Sequence, residues 1–294
     1  MPFKGHLGTL AEGVVSSSPP DRRQAGRPLP ARADQATSAR HLSWHVRAVV
    51  RVGTTAVTAA LLAGMTVHAT TLAIIRTPDQ VIMAADSLRV WHGGDRRAQL
   101  TCKLDTQDDV AFAMAGLVIE NDFDAQALVR LVLATPGTLE ERALVLERLL
   151  RGPLLGMLTR IRHELPRQFA EQLGSGFVLN VTLAAVRDHV ALLEMRDFYV
   201  ETAPGGALQL RVQSVSCPRD CPRPTEIFGV GETSAMMEHL DTLPQLPALL
   251  PSLAAELVGI EIANRPALVG PPVDLLRVGD EGIEWLQRKP ACTE

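Results

Sequence analysis

Aromatic side chains are scarce in this sequence: one Tyr, three Trp and seven Phe among 294 residues, or 4%. A core built on stacked rings is therefore excluded. Leu, Val and Ala must fill it, and a hydrophobic share of 46% is ample for that. A long apolar run is also lacking. Val52–Met65 spans 14 residues, short of the roughly 20 that a membrane-spanning helix needs. Basic charge is missing where a nucleic-acid binder would need it. Residues 1–69 hold eight basic and three acidic groups, so of the net −4 about −9 falls on residues 70–294. Phosphate binding needs clustered Lys and Arg, so no nucleic-acid partner is expected. Cysteines number four. Cys217 and Cys221, in Cys-Pro-Arg-Asp-Cys, are close enough for a small local disulfide in an oxidising compartment; two free thiols are the alternative. No further Cys or His is adjacent, so no metal site is expected there. Cys102, beside Lys103, reads as a buried strand residue rather than a reagent. No internal repeat is evident.

What is present begins with a leader. Residues 1–51 are basic and rich in Pro, Arg, Ser and Ala without an apolar period, a composition that cannot build a core and predicts disorder. Residues 52–69 fit the apolar and cleavage regions of a signal peptide, with Val67 and Ala69 in an A-x-A-like pattern. The cut would fall between Ala69 and Thr70. A basic region of some fifty residues is long for a signal peptide, which implies a translation start downstream of Met1, near Val46–Val50. An uncleaved signal anchor is the plainer alternative. Signal peptidase is then a processing partner, and the mature chain, 70–294, is one exported domain, periplasmic or secreted.

Cleavage there would have a chemical consequence. A threonine hydroxyl is a weak nucleophile unless a base takes its proton, and an N-terminal amine is such a base. With a pKa of about 7.7–8, a good fraction of that amine is neutral near pH 7. An internal Thr70 has only an amide nitrogen.

Along the mature chain, Thr71–Arg76 and Val81–Ala85 read as a hairpin around the turn Thr77-Pro78-Asp79-Gln80. That places Thr70 beside Asp86. Leu100–Asp105 and Asp109–Ala115 read as a further strand pair carrying Lys103. Trp91–Arg97 reads as a polar loop whose His92 is a solvated side chain. Asn121 or Asp122 can cap a helix running to Ala134. Thr138 and Glu141 form a capping box for a helical region reaching about Leu173, interrupted at Gly152-Pro153 and again before Pro166. Four strands follow (177–186, 190–200, 208–215, 225–230), then helical stretches at 236–240 and 249–263, then a closing hairpin at 272–278 and 283–285. This is a layered α/β pattern with long antiparallel stretches.

Thr70-Thr71-Leu72-Ala73, the strand ending at Asp86, Cys102-Lys103-Leu104 and Ala113-Met114-Ala115-Gly116-Leu117 together resemble a proteasome β-type subunit, of the exported bacterial kind within the N-terminal-nucleophile (Ntn) hydrolases. The resemblance is strong over 70–130 and traceable to about Leu286. It implies a four-layer αββα sandwich, two antiparallel sheets between helix layers. It implies Thr70 as nucleophile, Asp86 and Lys103 as its partners, and a Gly116 N–H in the oxyanion hole. By the same analogy the protein is a homo-oligomer acting on a peptide or small amide, without a cofactor.

Taken singly, each of these residues has an ordinary reading: Thr70 a strand former, Asp86 a strand end, Lys103 a surface charge. The sequence also departs from the family. A Ser of the Gly-Ser-Gly turn is replaced by Val230, and a further Asp and Ser fall where Arg265 and Leu268 stand. A threonine hydrolase exposed by signal cleavage is the first expectation, and a catalytically silent relative with an assembly or binding role is the second. Intact-mass measurement of the exported protein distinguishes the premise of the first: it is expected to begin at Thr70, and a different N-terminus sinks it.

Overall fold

The computed structural model describes residues 70–90, 98–120, 122–173 and 176–292. The leader at 1–51, the signal segment at 52–69 and the loop with His92 lie outside the described residues.

In chain order the strands are β1 (Thr71–Arg76), β2 (Val81–Ala85), β3 (Leu88–Val90), β4 (Ala98–Leu100), β5 (Leu104–Gln107), β6 (Val110–Gly116), β7 (Ile119–Glu120), β8 (Phe123–Asp124), β9 (Phe177–Arg187), β10 (Val190–Thr202), β11 (Leu208–Cys217), β12 (Glu226–Gly231), β13 (Asp274–Gly279) and β14 (Gly282–Gln287). The helices are α1 (Ala125–Leu133), α2 (Leu139–Glu164), α3 (Pro166–Gln172), α4 (Ser234–Thr242) and α5 (Leu250–Asn264). One five-stranded antiparallel sheet runs β12-β1-β2-β13-β14 and the other β11-β10-β9-β6-β5. Two short ribbons, β3 with β4 and β7 with β8, stand apart from them.

Three apolar layers hold four structural layers together. Leu72, Ile74 and Met83 of the first sheet meet Ala111, Ala113, Ala184, Leu193 and Met195 of the second in the inner layer. Ala73, Ile75 and Ile82, on the other face of the first sheet, pack on Leu253, Leu257 and Val258 of α5. Phe112, Leu179, Leu183 and Phe198, on the outer face of the second sheet, pack on Leu146, Leu150, Leu154 and Leu158 of α2. The fold is thus the expected αββα sandwich. It explains why β1 is buried at every residue: a strand covered on both faces reads as a continuous apolar run rather than an alternating one. β6 divides its faces by size, with Ala111, Ala113 and Ala115 toward the facing sheet and Val110, Phe112 and Met114 toward the helices. Side chains as small as alanine let the two sheets approach closely.

Several local expectations are corrected. α2 runs through Pro153 without a break. Pro153 lies on the exposed face, so the missing backbone bond and the displaced carbonyl face water while Leu150, Leu154 and Met157 keep the buried stripe continuous. The chain does end a helix at Leu165 and start another with Pro166 at its first turn, where proline has no N–H to lose. The cap of α1 is Asp124, whose Oδ1 accepts from Ala127 N at 2.9 Å, not Asn121 or Asp122. The capping box of α2 is present: Thr138 Oγ1 accepts from Glu141 N at 3.2 Å and Glu141 Oε2 accepts from Thr138 N at 2.8 Å. The strand expected at 100–105 is split. Residues 98–100 pair with β3, and 101–103 are irregular before β5 begins. Among the described residues, no helix is long and apolar enough to cross a membrane.

The α2 stripe gives a stability test. Leu150 is fully buried and Leu149 is 43% exposed. Leu150→Ala is expected to cost about 3 kcal/mol, against less than about 0.5 kcal/mol for Leu149→Ala, read from urea midpoints at constant slope.

Candidate active site

The β1–β2 hairpin sets the first half of the site. Leu72 stands opposite Ala85, so Thr71 falls across from Asp86, and Thr70, one residue earlier, lies at the same end of the sheet. Asp86 N donates to Thr71 O at 3.2 Å, and Thr71 N donates back to Asp86 Oδ1 at 2.8 Å. Lys103 Nζ, from the irregular stretch before β5, donates to the same Oδ1 at 2.5 Å. Oδ2 accepts from Leu88 N at 3.0 Å and from Gly270 N at 3.1 Å. Asp86 is wholly buried, and these four donors satisfy both of its oxygens. A buried carboxylate needs such an arrangement, because an unpaired one would cost several kcal/mol.

Thr70 is itself buried, and its carbonyl accepts from Glu232 N at 2.8 Å. Gly231, opposite Thr71 on β12, has φ +85°, and a Cβ there would lie 1.9 Å from Thr70 O. Only glycine allows β12 to close on the threonine in this way. Thr71 Oγ1 donates to Glu232 O at 2.7 Å, which holds the same edge. Gly116 ends β6 in the facing sheet, with φ +96°; a Cβ would stand 2.2 Å from Val178 O. Its position is likewise closed to any side chain.

Burial is the main influence on Lys103 and lowers its pKa to about 8. The charge and hydrogen bond of Asp86 oppose that shift, and the charge of Lys289 adds to it. Burial also raises the pKa of Glu232, with Glu261 adding to the rise and Arg265 opposing it.

The family departures have definite surroundings. Val230 is 5% exposed and belongs to the inner apolar layer. Leu268 is also buried. Arg265 follows α5, and its Nη1 lies 3.8 Å from Glu232 Oε2. So a Glu–Arg pair stands near the threonine's edge of the sheet, and apolar groups occupy the other two positions. Sequence reasoning missed Glu232, Gly270 and a second buried ion pair, Lys289–Asp274. The reading of Cys102 as a buried strand residue is corrected: it lies half-buried in the irregular stretch before β5 and is disulfide-bonded to Cys292, Cα–Cα 5.7 Å. An even cysteine count with two left over after Cys217 and Cys221 was the available signal. Cys217 and Cys221 are bonded to each other, Cα–Cα 5.2 Å. Among the described residues, no group of three or more His, Cys, Asp or Glu is arranged to hold a metal.

The class these observations define is an αββα sandwich with a buried Lys–Asp pair tied to the backbone beside a strand-leading threonine. No family model matches the chain, and no curated protein matches it. Among solved structures, it is similar to the Anbu (Gly-1) mutant from Hyphomicrobium sp. strain MC1, with 17% identity and a TM-score of 0.46, over 76% of this chain and 88% of that one. A likeness at that level assigns no residue a role.

The depressed pKa of Lys103 has a measurable consequence. Between about pH 8 and its ordinary 10.5, the unfolded chain holds a proton on Lys103 that the folded chain lacks. Stability from this group therefore rises with pH across that window, and below it the full cost of burying the ammonium is present. Urea unfolding of wild type relative to Lys103→Met is expected to show this rise, and a flat difference across the window would exclude a lowered pKa.

Proposed function

We propose that the protein is an N-terminal-threonine hydrolase of the Ntn type, cleaving a peptide or small amide through an acyl-enzyme on Thr70. The observation that carries this reading is the shared Asp86 Oδ1, which takes Lys103 Nζ at 2.5 Å and the backbone N of Thr71 at 2.8 Å. One carboxylate oxygen thus ties the lysine to the residue following Thr70.

In this reading signal peptidase removes residues 1–69 and converts the amide nitrogen of Thr70 into an amine. The amine accepts the Oγ1 proton as Oγ1 bonds to the substrate carbonyl carbon. Lys103, with its pKa near 8, is partly neutral in the same range and in that form can relay this proton, accepting it from Oγ1 and passing one on to the amine. The Gly116 N–H stabilises the oxyanion, a role typically worth about 3 kcal/mol. The C–N bond then breaks, and the proton passes to the leaving nitrogen. Water supplies hydroxide to the acyl carbon and returns its other proton to Oγ1, freeing the enzyme.

An exported location accords with this reading. All four cysteines are in disulfides, which persist in oxidising compartments. A second reading, a catalytically silent relative with an assembly or binding role, is favoured by Val230 and Leu268. Both are buried and apolar where the family places hydroxyls that orient the amine.

A β-lactone probe separates the two. It is expected to acylate the mature protein once, at Thr70, and Thr70→Ala should abolish labelling without unfolding the chain. Asp86→Asn should slow labelling by about 100-fold or more. A folded wild type beginning at Thr70 that takes no label supports the silent relative.

A further inference from the structure

The chain contains only three lysines, Lys4, Lys103 and Lys289, against many arginines. Beyond the leader there are just two, and both are buried, each paired with a fully buried aspartate. A sequence that otherwise uses arginine for its positive charge keeps lysine at two adjoining buried positions.

The second of them is held closely. Lys289 Nζ donates to Ser87 Oγ at 2.6 Å and to Thr101 O at 2.6 Å, and lies 2.8 Å from Asp274 Oδ2. Its backbone N donates to Asp274 Oδ1 at 2.8 Å. Asp274 opens β13 directly opposite Ala85, the residue before Asp86. Ser87 is the residue after Asp86; its hydroxyl donates to Pro272 O, its N donates to Gly270 O at 2.8 Å, and its carbonyl accepts from Thr101 N at 2.9 Å. Thr101 stands two residues before Lys103. The ammonium of Lys289 therefore bridges the segment carrying Asp86, the segment carrying Lys103 and the strand that follows the loop whose Gly270 N bonds Asp86. The Cys102–Cys292 disulfide ties the Lys103 segment to the Lys289 segment again, one residue before Lys103 and three after Lys289.

We propose that Lys289 is a positioning residue for the Asp86–Lys103 pair, fixing the two segments that bear them and setting a second positive charge beside Lys103. Two hydrogen-bond acceptors and a carboxylate oxygen around one point charge suit an ammonium and not the flat fork of a guanidinium. Among the described residues, the charged groups acting on Lys103 include Asp86 from the end of β2 and Lys289 from the C-terminal segment, with Asp274 behind the latter. The nearby positive charge favours the neutral form of Lys103, the form able to take a proton. This inference rests on the role given to Lys103 in the proposed hydrolase.

The test uses the processed protein with lysine labelled at Cε with carbon-13. Two lysine resonances remain after leader removal, and Lys103→Met assigns them. Lys289→Met leaves Asp274 buried without its cation and is liable to unfold. The Asp274→Asn, Lys289→Gln double variant carries no buried unpaired charge and is the deciding protein. In the folded double variant, the titration midpoint of Lys103 is expected to rise by about half a unit to one unit, and the acid limb of β-lactone acylation should move up with it. A Lys103 midpoint and an acylation profile coinciding with wild type would reduce Lys289 to a structural ion pair and overturn the proposal. A shifted Lys103 with an unshifted acylation profile would also overturn it. If the wild type takes no label at all, the hydrolase reading fails on its own account; a shift in the Lys103 resonance would then still uphold the coupling between the two lysines, and its absence would refute it.

Discussion

Everything at the mouth of this sandwich depends on one buried carboxylate. Asp86 lies at the end of a central strand, out of water, and keeps its place because four donors from four parts of the chain converge on it. Thr71 brings the leading threonine's strand, Leu88 the segment that follows Asp86, Lys103 the approach to β5, and Gly270 the loop before β13. Removing any one contact would leave charge or lone pairs unmatched where solvent cannot substitute. The same group therefore acts as a structural hub and as the electrostatic partner of Lys103, the lysine proposed to assist Thr70.

The inner apolar layer sets the sheet that carries Asp86 against the sheet whose strand β6 ends in Gly116. A facing strand with Ala at each inward position allows the sheets to sit close, and Gly116 ends that strand where no side chain fits. On the other side Gly231 lets β12 lie against the threonine's carbonyl. Close approach is achieved at both flanks by omitting side chains, and polar atoms are concentrated at the strand ends. A second lysine–aspartate pair behind the first makes the mouth a small buried lattice of alternating charge.

Much of this was legible in the sequence, where local signals were strong. The β1–β2 hairpin was marked by two apolar runs flanking Thr77-Pro78-Asp79-Gln80, and its register sets Asp86 against Thr71, the residue after Thr70. Thr138 and Glu141 announced α2. The continuity of α2 through Pro153 was not legible, because which face a helix turns to solvent is decided by the sheet it packs on. The Gly270 and Lys289 contacts were hidden for another reason: their partners lie far away along the chain, 184 residues for Gly270 to Asp86 and 202 for Lys289 to Ser87. Lys103 and Asp86 were found through resemblance. No periodicity or turn chemistry would have joined them.

The bond between Cys102 and Cys292 closes a covalent loop over a sequence separation of 190. The whole second sheet and every helix from α1 to α5 lie within that loop, whereas β1 and β2 lie outside it. The hairpin bearing Thr70 and Asp86 is thus a guest threaded between β12 and β13 of a ringed host. A scission anywhere inside the loop leaves one covalently joined molecule, but a scission between Asp86 and Cys102 leaves the threonine's strand attached by noncovalent forces alone.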